Sequence, residues 1–315
     1  MSALGELQAL RKKRGAPTPR PLTNLRKADN RAAAVFLAPW FLGLGAITLF
    51  PLVASLYLSF TDYDLLSAPE FVGFENFIHM FQDPRLIKSL QVTLTYVVTG
   101  VPLQLIAALG LALVLNKGMR GMSLYRSIFY LPSLMGGSVA IAILWRQVFG
   151  KDGIFNAFLG WFGLEGMGWI SHPDTALWTI VLLHVWTFGS PMIIFLAGLR
   201  QIPDMYYEAA QLDGASKTRQ FLSVTLPLLS PIIFFNVVMQ VIGSFQAFTQ
   251  AYVVSGGTGG PSDSTLFYTL YLYQEGFKNL HMGYASAMAW VLVLIILALT
   301  ALNFWTSKFW VFYED

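Results

Sequence analysis

The sequence contains no cysteine. Disulfide cross-links, thiolate nucleophiles and cysteine-based metal sites are therefore excluded. Histidine is scarce as well. The four residues, His79, His172, His184 and His281, form no HxxH or HxxxH pair, so a zinc site of that kind is not expected. Charge is the third deficit: only 12% of the 315 residues are Asp, Glu, Lys or Arg, where a soluble domain carries about 25%. Little of the surface is made to meet water. The net charge of +3 is too small to draw nucleic acid or an acidic ligand by bulk attraction, and no nucleic-acid partner is expected. A GxxxxGK[ST] phosphate loop is also missing. Gly256, Gly257, Gly259 and Gly260 lack the lysine and the helix that would follow it, and they read as a loop or a span end.

What is abundant is apolar surface, 55% of the residues, with 15% aromatic. A helix needs about 20 consecutive apolar residues to cross the hydrocarbon core. Six stretches qualify: Ala34–Phe60, Leu90–Leu115, Ser127–Phe149, Leu177–Leu199, Pro231–Ser255 and Ala285–Thr306. Pro51, Pro102, Pro132 and Pro191 lie inside them, which a membrane helix tolerates because neighbouring helices re-satisfy the freed backbone groups. The chain therefore reads as an all-α, polytopic membrane protein with six transmembrane helices. It divides into a basic tail (1–33), a six-helix transmembrane domain (34–306) and a short C-terminal tail (307–315).

The first apolar run is too long, and ends without a small-residue cleavage pattern, to be a removable signal peptide. The tail before it carries eight Lys and Arg residues, from Arg11 to Arg31. Placing it in the cytoplasm puts fifteen Lys and Arg residues inside, including Lys117, Arg120, Arg126, Arg200, Lys217, Arg219 and Lys308. Five are left outside: Arg85, Lys88, Arg146, Lys151 and Lys278. That asymmetry predicts both termini in the cytoplasm. Of the outer loops, residues 61–89 contain the amphipathic FVGFENFIHMF, and residues 150–176 contain FNAFLGWFGLEGMGWI, whose rings suit the level of the lipid headgroups.

The segment between the fourth and fifth spans reads IPDMYYEAAQLDGASKTRQFLSVTLPLLSP. Pro203 suits a first helical turn, and Asp204 and Glu208 lie toward the positive helix N-terminus. Gly214 ends the helix through a left-handed turn, and Ser216 caps a second helix predicted to run through Leu222 until Pro227. Met205, Ala209 and Leu212 form an apolar face that no bilayer covers, and such a helix calls for a protein groove.

This segment has the signature spacing of the permeases of ATP-binding-cassette importers. Glu208-Ala209-Ala210 is followed by Gly214, by Val224 where isoleucine is usual, and by Leu226-Pro227. The stretches Phe195–Pro203, Leu226–Pro231, Ser59–Asp64, Gly256–Thr265 and Met282–Trp290 are similar to the maltose-type carbohydrate permeases, so the resemblance runs from about Val35 onward. It implies a type I importer permease fold and makes residues 200–228 the loop that docks on an ATPase subunit. Glu208 and Gly214 are its central charge and turn, with Ala209, Ala210 and Asp213 around them. It also implies a second related permease, two ATPase subunits carrying ATP and Mg, an extracytoplasmic solute-binding protein, and a prokaryotic plasma membrane location. The chain itself would bind no cofactor and perform no bond chemistry.

Polar residues at membrane depth face a cavity or another helix. In the fifth span Asn236, Gln240, Ser244 and Gln250 follow helical spacing, with Phe245, Phe248 and Tyr252 adding rings. Amides and aromatic faces suit sugars, and the same residues also serve as hydrogen-bonding glue between helices; the spacing fits both. Trp186, with His184, is a weaker candidate in the fourth span, where a lone histidine is more often packing. A carrier driven by an ion gradient is the alternative class. Such carriers place ionisable groups in mid-span, and here His184 stands almost alone.

Overall fold

The computed structural model describes residues 22–118 and 121–312, with the backbone course alone for residues 22–32. Most of the basic tail, Arg120 and the last three residues of the C-terminal tail lie outside the described residues. Two compact units are present, Met1–Ser55 and Leu56–Asp315. In the first, α1 (Leu22–Gly43) continues past Pro39 and through a wide π-turn (Leu44–Leu49) into α2 (Phe50–Leu58). Ala33–Leu58 is thereby long and apolar enough to cross a membrane.

The second unit opens with a two-residue antiparallel ladder, β1 (Thr61–Asp62) with β2 (Glu70–Phe71), in which Thr61 faces Phe71. A short helix, α3 (Glu75–Met80), realises the amphipathic motif. Asn76 on it donates to the carbonyls of Ser59 and Thr61, which ties the loop to the end of the first span. The central post is α4 (Pro84–Asn116). It starts sharply because Asp83 accepts from the amides of Arg85 and Leu86 and because Pro84 needs no hydrogen-bond acceptor there. Ala108, Ala112 and Leu115 are fully buried along one side, whereas Leu94, Val98 and Ile106 are exposed on the other. Small residues on the packed side let neighbouring helices approach closely.

The next two spans are broken. The expected single helix Ser127–Phe149 is α5 (Met122–Met135) followed by α6 (Val139–Val148), bent by 98°. Pro132 removes a donor, Gly136-Gly137 tolerate the turn, and extended Ser138 caps the new helix through the Ile141 amide. After α7 (Ile154–Gly160) in the aromatic loop, the fourth span is α8 (Pro173–Trp186) and α9 (Gly189–Leu199), bent by 41° at Thr187-Phe188. Pro191 falls in the first turn of α9, where no intrahelical donor is required.

The connecting segment holds α10 (Asp204–Leu212) and α11 (Lys217–Gln220). The second helix does not stop at Pro227 as the sequence suggested. A wide turn at Phe221–Thr225 leads into α12 (Leu226–Phe245), so Lys217–Phe245 is one long apolar helix. Widened turns of this kind accommodate a lost i→i−4 bond. The helix ends at Phe245, and α13 (Thr249–Val254) is a separate element, so the expected span Pro231–Ser255 both starts earlier and ends earlier. A glycine-rich loop, α14 (Tyr268–Tyr273) and α15 (Met282–Ser307) complete the unit.

Four described helices are thus long and apolar enough to span a membrane, or up to six elements when each bent pair counts as one span. Within the second unit, Met282 bonds the carbonyl of Tyr63, and Arg85 pairs with Asp263 at 2.9 Å. Phe312 donates its amide to Ser230, beside the α10–α11 segment.

Candidate functional site

Two features stand out, one at each level of the molecule. The first is the α10 segment. Its C-terminus closes with a paired hydrogen-bond motif: Ala215 N–H reaches Ala210 O at 2.9 Å and Gly214 N–H reaches Gln211 O at 3.0 Å. That geometry requires a left-handed residue, and Gly214 has φ +74°. Ser216 then accepts from the Arg219 amide and Gln220 donates to Ala215 O, which fixes the second helix. The Tyr207 hydroxyl meets Thr225 Oγ1 at 2.9 Å and ties the elbow to the start of the following helix. Glu208, Ala209, Asp213 and Gly214 are exposed and Ala210 is half-buried. Leu212 is 90% and Met205 67% exposed. A rigid, solvent-facing helix with uncovered apolar side chains has the form of a docking element.

The second feature is a polar cavity of about 280 Å³ where four spans meet. Its wall collects Tyr96 and Gln104 of α4, Ser133 of α5, His184, Thr187 and Ser190 at the break of the fourth span, and Gln240 and Ser244 of α12. Gln250 of α13 completes it. The volume lies at the lower edge of the ~300–1,000 Å³ of small-ligand sites. No carboxylate, lysine or arginine lines it.

The cavity exists because the broken spans leave backbone groups that side chains must satisfy. Ser133 Oγ donates to Thr187 O at 2.7 Å and accepts from Ser190 N–H at 2.9 Å, joining both sides of one break. Gln250 Nε2 donates to Gly136 O at 3.2 Å, at the other break. Gly189 has no room for a side chain: a Cβ would collide with the backbone of Phe129 and Tyr130, so α9 starts in direct contact with α5. His184 sits under the Tyr96 ring, 5.2 Å between centroids, with Nε2 3.5 Å from Ser244 Oγ. Gln240 is half-buried and makes no hydrogen bond among the described residues.

Of the residues singled out in the sequence, Gln240, Ser244 and Gln250 therefore meet at this cavity, together with His184, the weaker candidate. Asn236 does not: it is 2% exposed and its amide is bound to Ile232 O on its own helix. Phe245 is buried in the apolar core, and Trp186 packs on Trp145, 5.8 Å between centroids. The single stripe dissolves because the helix ends at Phe245, so that Gln250 arrives from a different element. Gln104, Ser133 and Thr187 were passed over. Gln104 carried a visible signal, an uncharged amide inside the apolar run VPLQLIAAL. Ser133 and Thr187 carried none, because hydroxyls are common in membrane helices.

Comparison with known proteins gives this architecture a family. Residues 85–309 match the model for the binding-protein-dependent transport system inner membrane component. The chain is 51% identical over 303 residues to the probable ABC transporter permease protein YesP of Bacillus subtilis (strain 168), covering 96% of this chain and 98% of that one. Over 280 residues it is 34% identical to the lactose transport system permease protein LacF of Rhizobium radiobacter, covering 87% and 93%. A chain from the crystal structure of a bacterial alginate ABC transporter, in complex with an alginate pentasaccharide-bound periplasmic protein, superposes with a TM-score of 0.77. It shares 20% identity, over 89% of this chain and 95% of that one, and so shares the fold. The chain belongs to the family of binding-protein-dependent transport system inner membrane components. It is a multi-pass membrane protein with the ABC importer permease fold, a transport subunit and not an enzyme. The ion-gradient carrier finds no support in these comparisons.

Proposed function

We infer that this chain is one permease subunit of an ATP-driven sugar importer, and that the solute crosses through the cavity between the broken spans. The observation that carries the reading is the chemistry of that cavity. Amide and hydroxyl groups with no carboxylate or fixed cation form a lining matched to a polyhydroxylated solute. The names of relatives support the solute class, lactose for LacF and arabinooligosaccharides for AraP of Halalkalibacterium halodurans, 32% identical over 270 residues.

In this reading a second, related permease completes the route and an extracytoplasmic solute-binding protein delivers the sugar. Two ATPase subunits hold ATP and Mg, and this chain holds no cofactor. Both termini and α10 lie in the cytoplasm of a prokaryotic cell, an orientation that the distribution of Lys and Arg supports. Glu208, Ala209, Ala210, Asp213 and Gly214 seat α10 in a groove of the ATPase. Closure of the ATPases moves α10, which is joined to α9 through residues 200–203 and to α12 through α11, so both cavity walls move with it.

The test is uptake by proteoliposomes containing the complete transporter, with labelled lactose, maltose and raffinose. Accumulation that requires ATP inside and persists when ion gradients are dissipated supports the reading. Accumulation driven by an imposed ion gradient without ATP overturns it.

A further inference from the structure

One polar group at the cavity is left over from every role described so far. Gln104 is 2% exposed, and its Oε1 is buried with no hydrogen-bond partner. Its Nε2 is heavily engaged. It lies 3.1 Å from His184 O, 3.2 Å from Thr187 O and 3.0 Å from Thr187 Oγ1. Two of these three are carbonyls, which only accept, so the amide orientation follows from the chemistry and the free atom is the acceptor. His184 O lies in the last turn of α8 and also accepts from Thr187 N–H and Thr187 Oγ1, and Thr187 O, just past the helix end, also accepts from Ser133 Oγ. Gln104 is thus a clamp on the break of the fourth span, applied from a different helix. The position is built for it. Tyr96, Gly100 and Gln104 fall four residues apart on one face of α4, and Gly100 lets the His184 ring approach closely.

An orphaned buried acceptor is costly to keep, and natural proteins retain one where something else completes it. The cavity that Gln104 lines is where a hydroxyl donor arrives in the reading above. We propose that Gln104 is a positioning residue that joins solute occupancy to the break: Oε1 accepts a hydrogen bond from a hydroxyl of the transported sugar while Nε2 holds the end of α8. The two halves of one amide reinforce each other. A hydrogen bond to the oxygen polarises the group and strengthens donation from the nitrogen. Occupancy therefore tightens the clamp on the segment that leads, through α9, directly to α10. An empty cavity leaves the clamp at its weaker setting.

This inference rests on the sugar-importer reading, and its experiment separates the two. In proteoliposomes containing the complete transporter, ATP hydrolysis is measured first without sugar and then with labelled lactose, maltose or raffinose on the binding protein. Gln104→Met keeps the bulk and removes both hydrogen-bonding halves. The expected result is sugar-free hydrolysis no higher than wild type, together with a loss of about 5-fold or more in stimulation by the loaded binding protein, at normal membrane levels. Thr95→Val, on the exposed face of the same helix, leaves both at the wild-type value. Ser133→Ala removes the other side-chain support of Thr187 O and gives a smaller loss of stimulation. It decides the matter if Gln104→Met fails to assemble. Wild-type stimulation in an assembled Gln104→Met transporter, or wild-type stimulation in Ser133→Ala where Gln104→Met does not assemble, overturns the proposal. Failure of the wild-type transporter to accumulate any of the three sugars with ATP would instead remove the importer reading, and this inference with it.

Discussion

Asp83 and Gln240 illustrate opposite uses of a polar side chain at the single-residue scale. Asp83 is 7% exposed and fully occupied: Tyr271 and Tyr284 donate their hydroxyls to Oδ2 at 2.6 and 2.8 Å, and two backbone amides take Oδ1. Burial pushes its carboxyl up, but these hydrogen bonds to the charged form outweigh it and leave the group below the ordinary carboxylate value. A depressed folded-state pKa contributes stability that is present above the unfolded value and is lost as pH falls through the folded one. Asp83→Asn should therefore lower the melting temperature of the purified transporter at pH 7, by an amount corresponding to about 1–3 kcal/mol. Its melting curve should converge with the wild-type curve in acid; a constant gap down through the carboxylate range would show that the charge is not what matters. Gln240, by contrast, is free for a ligand. Gln240→Leu should reduce uptake about 5- to 150-fold, the effect of unpairing one buried polar group, with normal membrane levels. Asn236→Leu should act on assembly instead, since Asn236 is buried in the packing and lines no part of the cavity. Equal transport defects with equal assembly in the two variants would return both residues to one stripe.

Among the elements, the α10 elbow was the most legible in the sequence, because its signals are local. Gly214 needs φ > 0, Ser216 caps, and the charged and apolar positions alternate on a short helix. The breaks in the third and fourth spans were not legible. A hydropathy reading counts apolar residues and is blind to direction, so Ser127–Phe149 passed as one crossing although its halves meet at 98°. Gly136-Gly137-Ser138 supplied a hint, but membrane helices tolerate glycine, and the turn is held by Gln250 from more than a hundred residues away. The cavity depends on such long-range partners, and for that reason only Gln240, Ser244 and Gln250, with His184 as a weaker candidate, were legible in the sequence. The elbow yields a prediction of its own. Gly214→Pro forbids the left-handed turn and removes the N–H that bonds Gln211 O. It should abolish uptake while the protein inserts normally. Gly214→Asn, which visits the left-handed region readily, should keep most transport. Comparable activity in both, at comparable membrane levels, would show that the turn carries no coupling.

For the molecule as a whole, the absence of cysteine becomes an experimental advantage. Single cysteines can be placed in an otherwise unreactive chain to map its topology. Ser216→Cys should react with an impermeant thiol reagent only after the cells are opened, and Ser67→Cys in intact cells. Labelling of Ser216→Cys from outside would invert the proposed orientation. The same background permits the most direct test of the account's main claim, that sugar passes between the broken spans. Gln240→Cys is introduced into the complete transporter in proteoliposomes, alongside Phe235→Cys on the exposed face of the same helix. Each is exposed to a small thiol reagent with and without the transported sugar and its binding protein during ATP turnover. Sugar should slow modification of Gln240→Cys and leave Phe235→Cys unchanged; identical rates at Gln240→Cys with and without sugar, in a transporter that is importing, would contradict the route.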